Sequence, residues 1–174
     1  MTIDELIENF ELFDEWEDRY RYVIDLGRAL PPLEPQYQTD AFKVEGCMSQ
    51  VWLVPLPSEE RRMRFAADSD SAIVKGLAAV LLTAYSDRTP EQILDTDLEA
   101  IFARIGLDQH LSPNRRNGFF SMVETIKASA KARIAARDQH FLEGDAGRLR
   151  GGGMRAEQRR RGQERGGGKH GTAK

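Results

Sequence analysis

One residue in 174 carries a thiol, and it stands among turn-formers. The segment reads Val44-Glu45-Gly46-Cys47-Met48-Ser49-Gln50-Val51-Trp52. A lone cysteine cannot close an internal disulfide, and it cannot supply a Cys-rich zinc site by itself. What remains for Cys47 is the work of a nucleophile, a sulfur carrier, a redox sensor or one ligand in a shared metal site. A free cysteine also commonly packs as a small hydrophobe. A packing cysteine has apolar neighbours at strand or helix spacing, and Gly46, Ser49 and Gln50 break both patterns. From these residues alone a working thiol and an inert one both stay open.

The elements around the segment decide how the sulfur is held. Phe42 and Val44 precede it and Val51-Trp52-Leu53-Val54 follow, which predicts strand, tight loop, strand with the thiol at the loop. A loop on a rigid sheet is a suitable mount for a reactive group. Short connections predict an antiparallel meander of three strands near 42–45, 50–56 and 62–67, with Pro55 and Pro57 ending the middle one. Helices should pack on that sheet. Thr2 to Phe10 carries a Thr2/Glu5 capping box and a helical apolar stripe. Asp14 to Leu30 repeats the box with Asp14 and Glu17, and Pro31-Pro32 stop it. Residues 31–41 read as an extended loop. Ser71 to Tyr85 is apolar on most sides and should be buried, with Asp or Ser at its start capping the free N–H groups. Thr89-Pro90 opens a pair of short helices near 90–95 and 97–105, a loop follows at 106–117, and a long helix spans 118–140. The fold class expected is α+β, a three-stranded antiparallel sheet packed against several helices.

Charge divides the chain. The net charge is −3, yet residues 144–174 hold nine Lys/Arg against three acids, a surplus of +6 that leaves −9 for the rest. An acidic body argues against nucleic acid as its main partner. Ten of the fifteen glycines also lie at 144–174, with almost no apolar residues, so residues 143–174 are expected to be a disordered Gly/Arg-rich tail behind a single domain at 1–142. The match of Gly166 to Gly171 to a dinucleotide-binding glycine pattern lacks the strand before and the helix after that such a site needs. The acidic N-terminus shows no secretory signal, and the longest apolar run, near Leu77 to Leu82, is far short of the ~20 residues that cross a bilayer. The expectation is a cytoplasmic protein with no membrane partner.

Gly46 to Leu53 closely resembles the cysteine segment of the SufE family, the sulfur-acceptor proteins of iron–sulfur cluster assembly. Two later blocks resemble the same family in the same order, Asp68 to Leu77 and Leu107 to Gly118, and the likeness runs from about residue 5 to about 135. Met48 departs from the pattern, since many members carry Gln there. The resemblance implies a SufE/IscU-like fold and a carrier that acts by transpersulfidation rather than as a stand-alone enzyme. Cys47 would take sulfur from a cysteine desulfurase, SufS-like or CsdA-like, stimulate that enzyme, and pass the sulfur to a SufBCD-type scaffold. Pyridoxal phosphate would belong to the desulfurase, leaving this chain with neither cofactor nor metal. By the same resemblance Gly46, Ser49, Gln50, Asp70, His110 and Arg115 are partner-binding or loop-regulating candidates. Asp70 matches a position linked to how the loop is held, and Arg115 an arginine that meets the desulfurase. Read without the resemblance, His110 is a structural histidine and Arg115 a solvated charge. Two other classes compete. An IscU-like cluster scaffold needs several thiolates, and a non-catalytic interaction module would tolerate an inert Cys47.

Overall fold

Thr2 caps the first helix in both directions: its hydroxyl accepts from the Glu5 N–H at 3.2 Å, and the Glu5 carboxylate accepts from the Thr2 N–H at 2.7 Å. Helix α1 then spans Ile3–Glu11 and buries Leu6, Ile7 and Phe10, its predicted stripe. The computed structural model describes residues 1–58 and 61–163, with side chains followed as far as Phe141. Helix α2 is Trp16–Arg28, shorter than the predicted span. The Asp14/Glu17 box does not form. Glu15 is the N-cap and makes no side-chain bond, so the Asp14 carboxylate sits one residue too early to reach the free N–H groups.

The predicted first strand is also absent. A 3-10 turn at Pro35–Tyr37 and another at Asp40–Phe42 carry the chain to a single bridge, Lys43 opposite Trp52. Gly46 turns the backbone away at φ +82° before a ladder can extend. The sheet among the described residues is therefore a two-stranded antiparallel hairpin, β1 Val51–Leu56 and β2 Arg64–Ser69, with Val51 opposite Ser69 and Leu56 opposite Arg64. The α+β class stands, with two strands rather than three.

Helix α3, Ala72–Tyr85, is the centre of the core. Leu77 and Leu81 are fully buried, and each such side chain contributes about 1.5–3 kcal/mol. One flank of α3 lies on the hairpin and the other on α2. The α2 crossing is backbone on backbone: a Cβ on Gly27 would fall 2.6 Å from the Gly76 nitrogen. Helices α4, Pro90–Asp95, and α5, Leu98–Arg104, follow, the first opened by the Thr89-Pro90 signal and a Thr89/Gln92 capping box. Helix α6, Pro113–Gln163, starts five residues ahead of the predicted Gly118, because Pro113 suits the first helical position. Phe102 of α5 stacks on Phe119 of α6 with ring centroids 4.3 Å apart and locks the start of α6 to the core.

The chain divides into two units, Met1–Ile134 and Ala135–Lys174. The first holds every buried apolar residue named above. In the second, α6 continues as helix through Gln163, where the sequence predicts an unstructured tail; no proline follows Pro113 to stop it. The end of that predicted tail, 164–174, lies outside the described residues. No helix among the described residues is long and apolar enough to cross a membrane.

Candidate functional site

The cysteine segment is a closed loop, pinned at both ends. On the entry side, the Val44 N–H donates to the Val51 carbonyl at 2.8 Å, and Val44 and Val51 are both buried. On the exit side, Gln50 is held by the residues that lead into α3. Its N–H donates to Asp70 Oδ1 at 3.0 Å, and its carbonyl accepts from the Asp70 N–H at 3.2 Å and the Ser69 hydroxyl at 2.7 Å. Asp70 therefore serves the loop. Neither it nor Ser71 makes the local helix cap predicted from the sequence; Ser71 is the N-cap of α3 with no side-chain bond. Asp68 is committed to Lys75, 3.0 Å away, and accepts from Gln38 at 3.3 Å.

Cys47 is half-buried at the tip, with Sγ 3.5 Å from the carbonyl oxygen of Gly118 in α6. A thiol at that position donates its S–H to the carbonyl. Burial pushes the Cys47 thiol above its ordinary value, because a thiolate loses more than a thiol on leaving water. The sulfur faces a cleft of about 180 Å³. Cys47, Met48 and Ser49 line it from the loop and Val74 from α3. Ser112, Asn114, Arg115 and Gly118 line it from the start of α6. Arg115 is the one charged side chain in that lining, and it forms no ion pair among the described residues. Met48 points away from the core with 85% of its surface exposed, so it does not cover the thiol.

The candidates named from the sequence thus separate. Gly46, Cys47, Ser49, Gln50, Asp70 and Arg115 meet at one end of α3. His110 does not join them: it is exposed and stacks on Trp16 at 4.4 Å, where α2 begins. Arg116, the neighbour of Arg115, lies over the Phe120 ring at 5.9 Å. Gly118 escaped the sequence reading as anything but a helix start. A glycine inside a helical pattern without a turn to serve was its only signal. No cluster of metal-ligating side chains occurs among the described residues. A larger, mostly apolar hollow of about 370 Å³ lies at the far end of α3, beside Leu82 and Ser86. That is ~12 Å along the helix from Val74 at 1.5 Å per residue, and no nucleophilic thiol lines it.

Comparison with known proteins gives the family and the fold. The SufE profile, described as an Fe-S metabolism associated domain, matches residues 4–130. A protein of Rhizobium etli named as an uncharacterized SufE-like protein is 48% identical over 138 residues, covering 78% of this chain and 93% of that one. A similarly named protein of Rhizobium meliloti is 44% identical over 138 residues, covering 78% and 99%. The solution structure of a hypothetical protein from Thermus thermophilus shares the fold, with a TM-score of 0.63 at 18% identity over 78% of this chain and 99% of that one. With the profile spanning nearly the whole of the first unit and relatives this similar, the chain belongs to the SufE family, whose domain is associated with iron–sulfur metabolism.

Proposed function

We propose that this protein accepts sulfur on Cys47 from the persulfide of a cysteine desulfurase and hands it to an iron–sulfur scaffold. The observation that carries the reading is the mounting of the sole thiol: half-buried at the tip of a pinned loop, over a cleft with one cation, and flanked by the exposed Met48. In the transfer step the Cys47 thiolate attacks the outer sulfur of the desulfurase persulfide. A new S–S bond forms on Cys47, the S–S bond on the desulfurase breaks, and its cysteine leaves as a thiolate. One sulfane sulfur moves without net oxidation. Pyridoxal phosphate stays with the desulfurase, which generates the persulfide. The partner is SufS-like or CsdA-like, the recipient is a SufBCD-type scaffold, and the exchange takes place in the cytoplasm.

Burial favours the protonated form of Cys47 at rest, and movement of the loop out of the cleft would favour the thiolate. The docked desulfurase supplies both the outward position and the polar surroundings that favour thiolate. Exposed Met48 and Arg115 flank the cleft and offer contacts for docking. The test is intact-mass analysis of the full chain after incubation with a cysteine desulfurase, pyridoxal phosphate and free cysteine. The expected gain is ~32 Da per sulfur, reversed by reductant and absent from Cys47→Ser. No gain with either class of desulfurase would leave Cys47 as a packing residue in an interaction module.

A further inference from the structure

Gly118 occupies an interior position of α6, where glycine is among the least favourable residues. Its backbone does not ask for glycine: positive φ occurs among the described glycines only at Gly46 and Gly106. The reason lies across the contact. A Cβ on Gly118 would stand 3.0 Å from Cys47 Sγ, with the Cys47 Cβ and Cα at 3.7 and 3.8 Å. The same residue turns its carbonyl oxygen to the thiol at 3.5 Å. The loop answers with a glycine of its own. A Cβ on Gly46 would stand 3.0 Å from Ser121 Oγ, nearly one turn further along α6.

We infer that Gly118 is a positioning residue for the sulfur transfer: its bare Cα and its carbonyl form the resting seat of Cys47, and the fit of that seat sets how often the thiol is presented. A neutral thiol satisfies the seat, since it is small and has a proton to donate. A thiolate does not, because it has no proton to give and faces a carbonyl oxygen at short range. Arg115 is the only charged side chain lining the cleft. A methyl group at 118 overpacks the contact. The loop, being the softer partner, moves and carries the sulfur outward.

The test is Gly118→Ala in the full chain. Cys47 alkylation by iodoacetamide is followed by intact mass across pH, each rate normalised to the unfolded chain. The sole cysteine makes the reading unambiguous. Alkylation near neutral pH is expected to rise about tenfold, the equivalent of ~1.4 kcal/mol in the presentation equilibrium. The midpoint of its pH profile should move down toward that of an ordinary thiol. An unchanged rate and profile would overturn the seat. Melting temperatures are taken with and without Cys47→Ala. If the alanine at 118 destabilises only when the sulfur is present, the seat stands; if it destabilises equally without the sulfur, the contact is ordinary packing and the inference fails. The inference rests on the sulfur-acceptor reading for its purpose, yet thiol presentation is measured with no desulfurase. Faster alkylation in the variant with no sulfur gain in the wild type would sink the acceptor reading alone. Normal sulfur gain with unchanged alkylation would sink the seat alone.

Discussion

Replacing Asp70 with alanine is expected to loosen the cysteine loop while leaving the protein folded. The carboxylate holds one end of the loop through the Gln50 N–H at 3.0 Å. A hydrogen bond to a charged acceptor contributes about 1.5–3 kcal/mol when sheltered. Asp70 is exposed, so solvent screening brings its share down to ~1 kcal/mol. The Asp70 N–H and the Ser69 hydroxyl keep their bonds to the Gln50 carbonyl, which caps the effect. A loss of ~1 kcal/mol raises the population of the released loop about fivefold and lowers the melting temperature by ~4 °C. Iodoacetamide labelling of Cys47, read by intact mass and normalised to the unfolded chain, measures the first quantity; circular dichroism on heating measures the second. Asp70→Asn keeps an acceptor and loses the charge, so its labelling rate should fall between wild type and alanine. If Asp70→Ala labels no faster than wild type while melting cooperatively, the carboxylate does not hold the loop and the argument from this hydrogen bond is wrong.

Other perturbations test other parts of the structure. Gly76→Ala would drive a Cβ to within 2.6 Å of the Val23 carbonyl carbon; we expect a loss of about 3 kcal/mol and a melting temperature ~10 °C lower, and a thermal melt checks it. Tyr85 is fully buried, its hydroxyl lacks a partner among the described residues, and its phenol is pushed up to about 12, first by burial and then by Glu124 and Asp97. The neutral phenol is the form the fold favours, so its contribution is whole below the unfolded value of ~10 and disappears as pH rises through the folded one, a loss of up to ~2.7 kcal/mol. Tyr85→Phe should melt at or above the wild-type temperature at pH 7, and urea titrations from pH 9 to 12 should show a shallower alkaline decline. Met48→Asp removes an exposed apolar side chain beside the thiol and should leave the melting temperature within about 1 °C. Because an apolar docking contact is lost, we expect about tenfold slower sulfur gain at limiting desulfurase, a loss of ~1.4 kcal/mol; an unchanged rate would remove Met48 from the docking face.

Local chemistry was the legible part of this sequence. Thr2 with Glu5 announces a helix start because donor and acceptor lie within one turn, and Thr89-Pro90 announces another because the proline suits the first helical position. The apolar run from Ile73 to Leu82 announces a buried helix because few polar residues interrupt it. Asp14 and Glu17 present the same spacing as a true capping box and fail, since the backbone enters α2 at Glu15. The strand at 42–45 fails for a similar reason: Phe42 and Val44 carry strand-like side chains, but the 3-10 turn Asp40–Phe42 takes up Phe42 and Gly46 turns the chain after Glu45, which leaves length for a single bridge at Lys43. Within the site, Cys47 stood out by its neighbours. The partnership of Asp70 with Gln50 spans twenty residues, and that of Gly118 with Cys47 spans seventy-one. Neither distance leaves a mark in the spacing of residues, so spacing alone marks the aspartate as a helix cap and the glycine as a boundary; it is the family resemblance that ties Asp70 to the loop. His110 shows the converse: it shares a block with Arg115 in the sequence, yet its ring belongs to Trp16.

The glycine-on-glycine crossing of α2 and α3 limits how descendants of this sequence can diverge. Gly27 and Gly76 meet through their backbones, so a side chain on either cannot be absorbed by trimming a neighbour. Drift at one position finds no compensating change at the other. The permissible path is to move the two helices apart. Helix α3 carries Val74 into the cleft, and Asp70 anchors the loop just ahead of it. Widening the crossing would therefore shift the ground under the sulfur. Lineages that keep the chemistry are tied to this pair of bare backbones, although neither glycine touches the thiol.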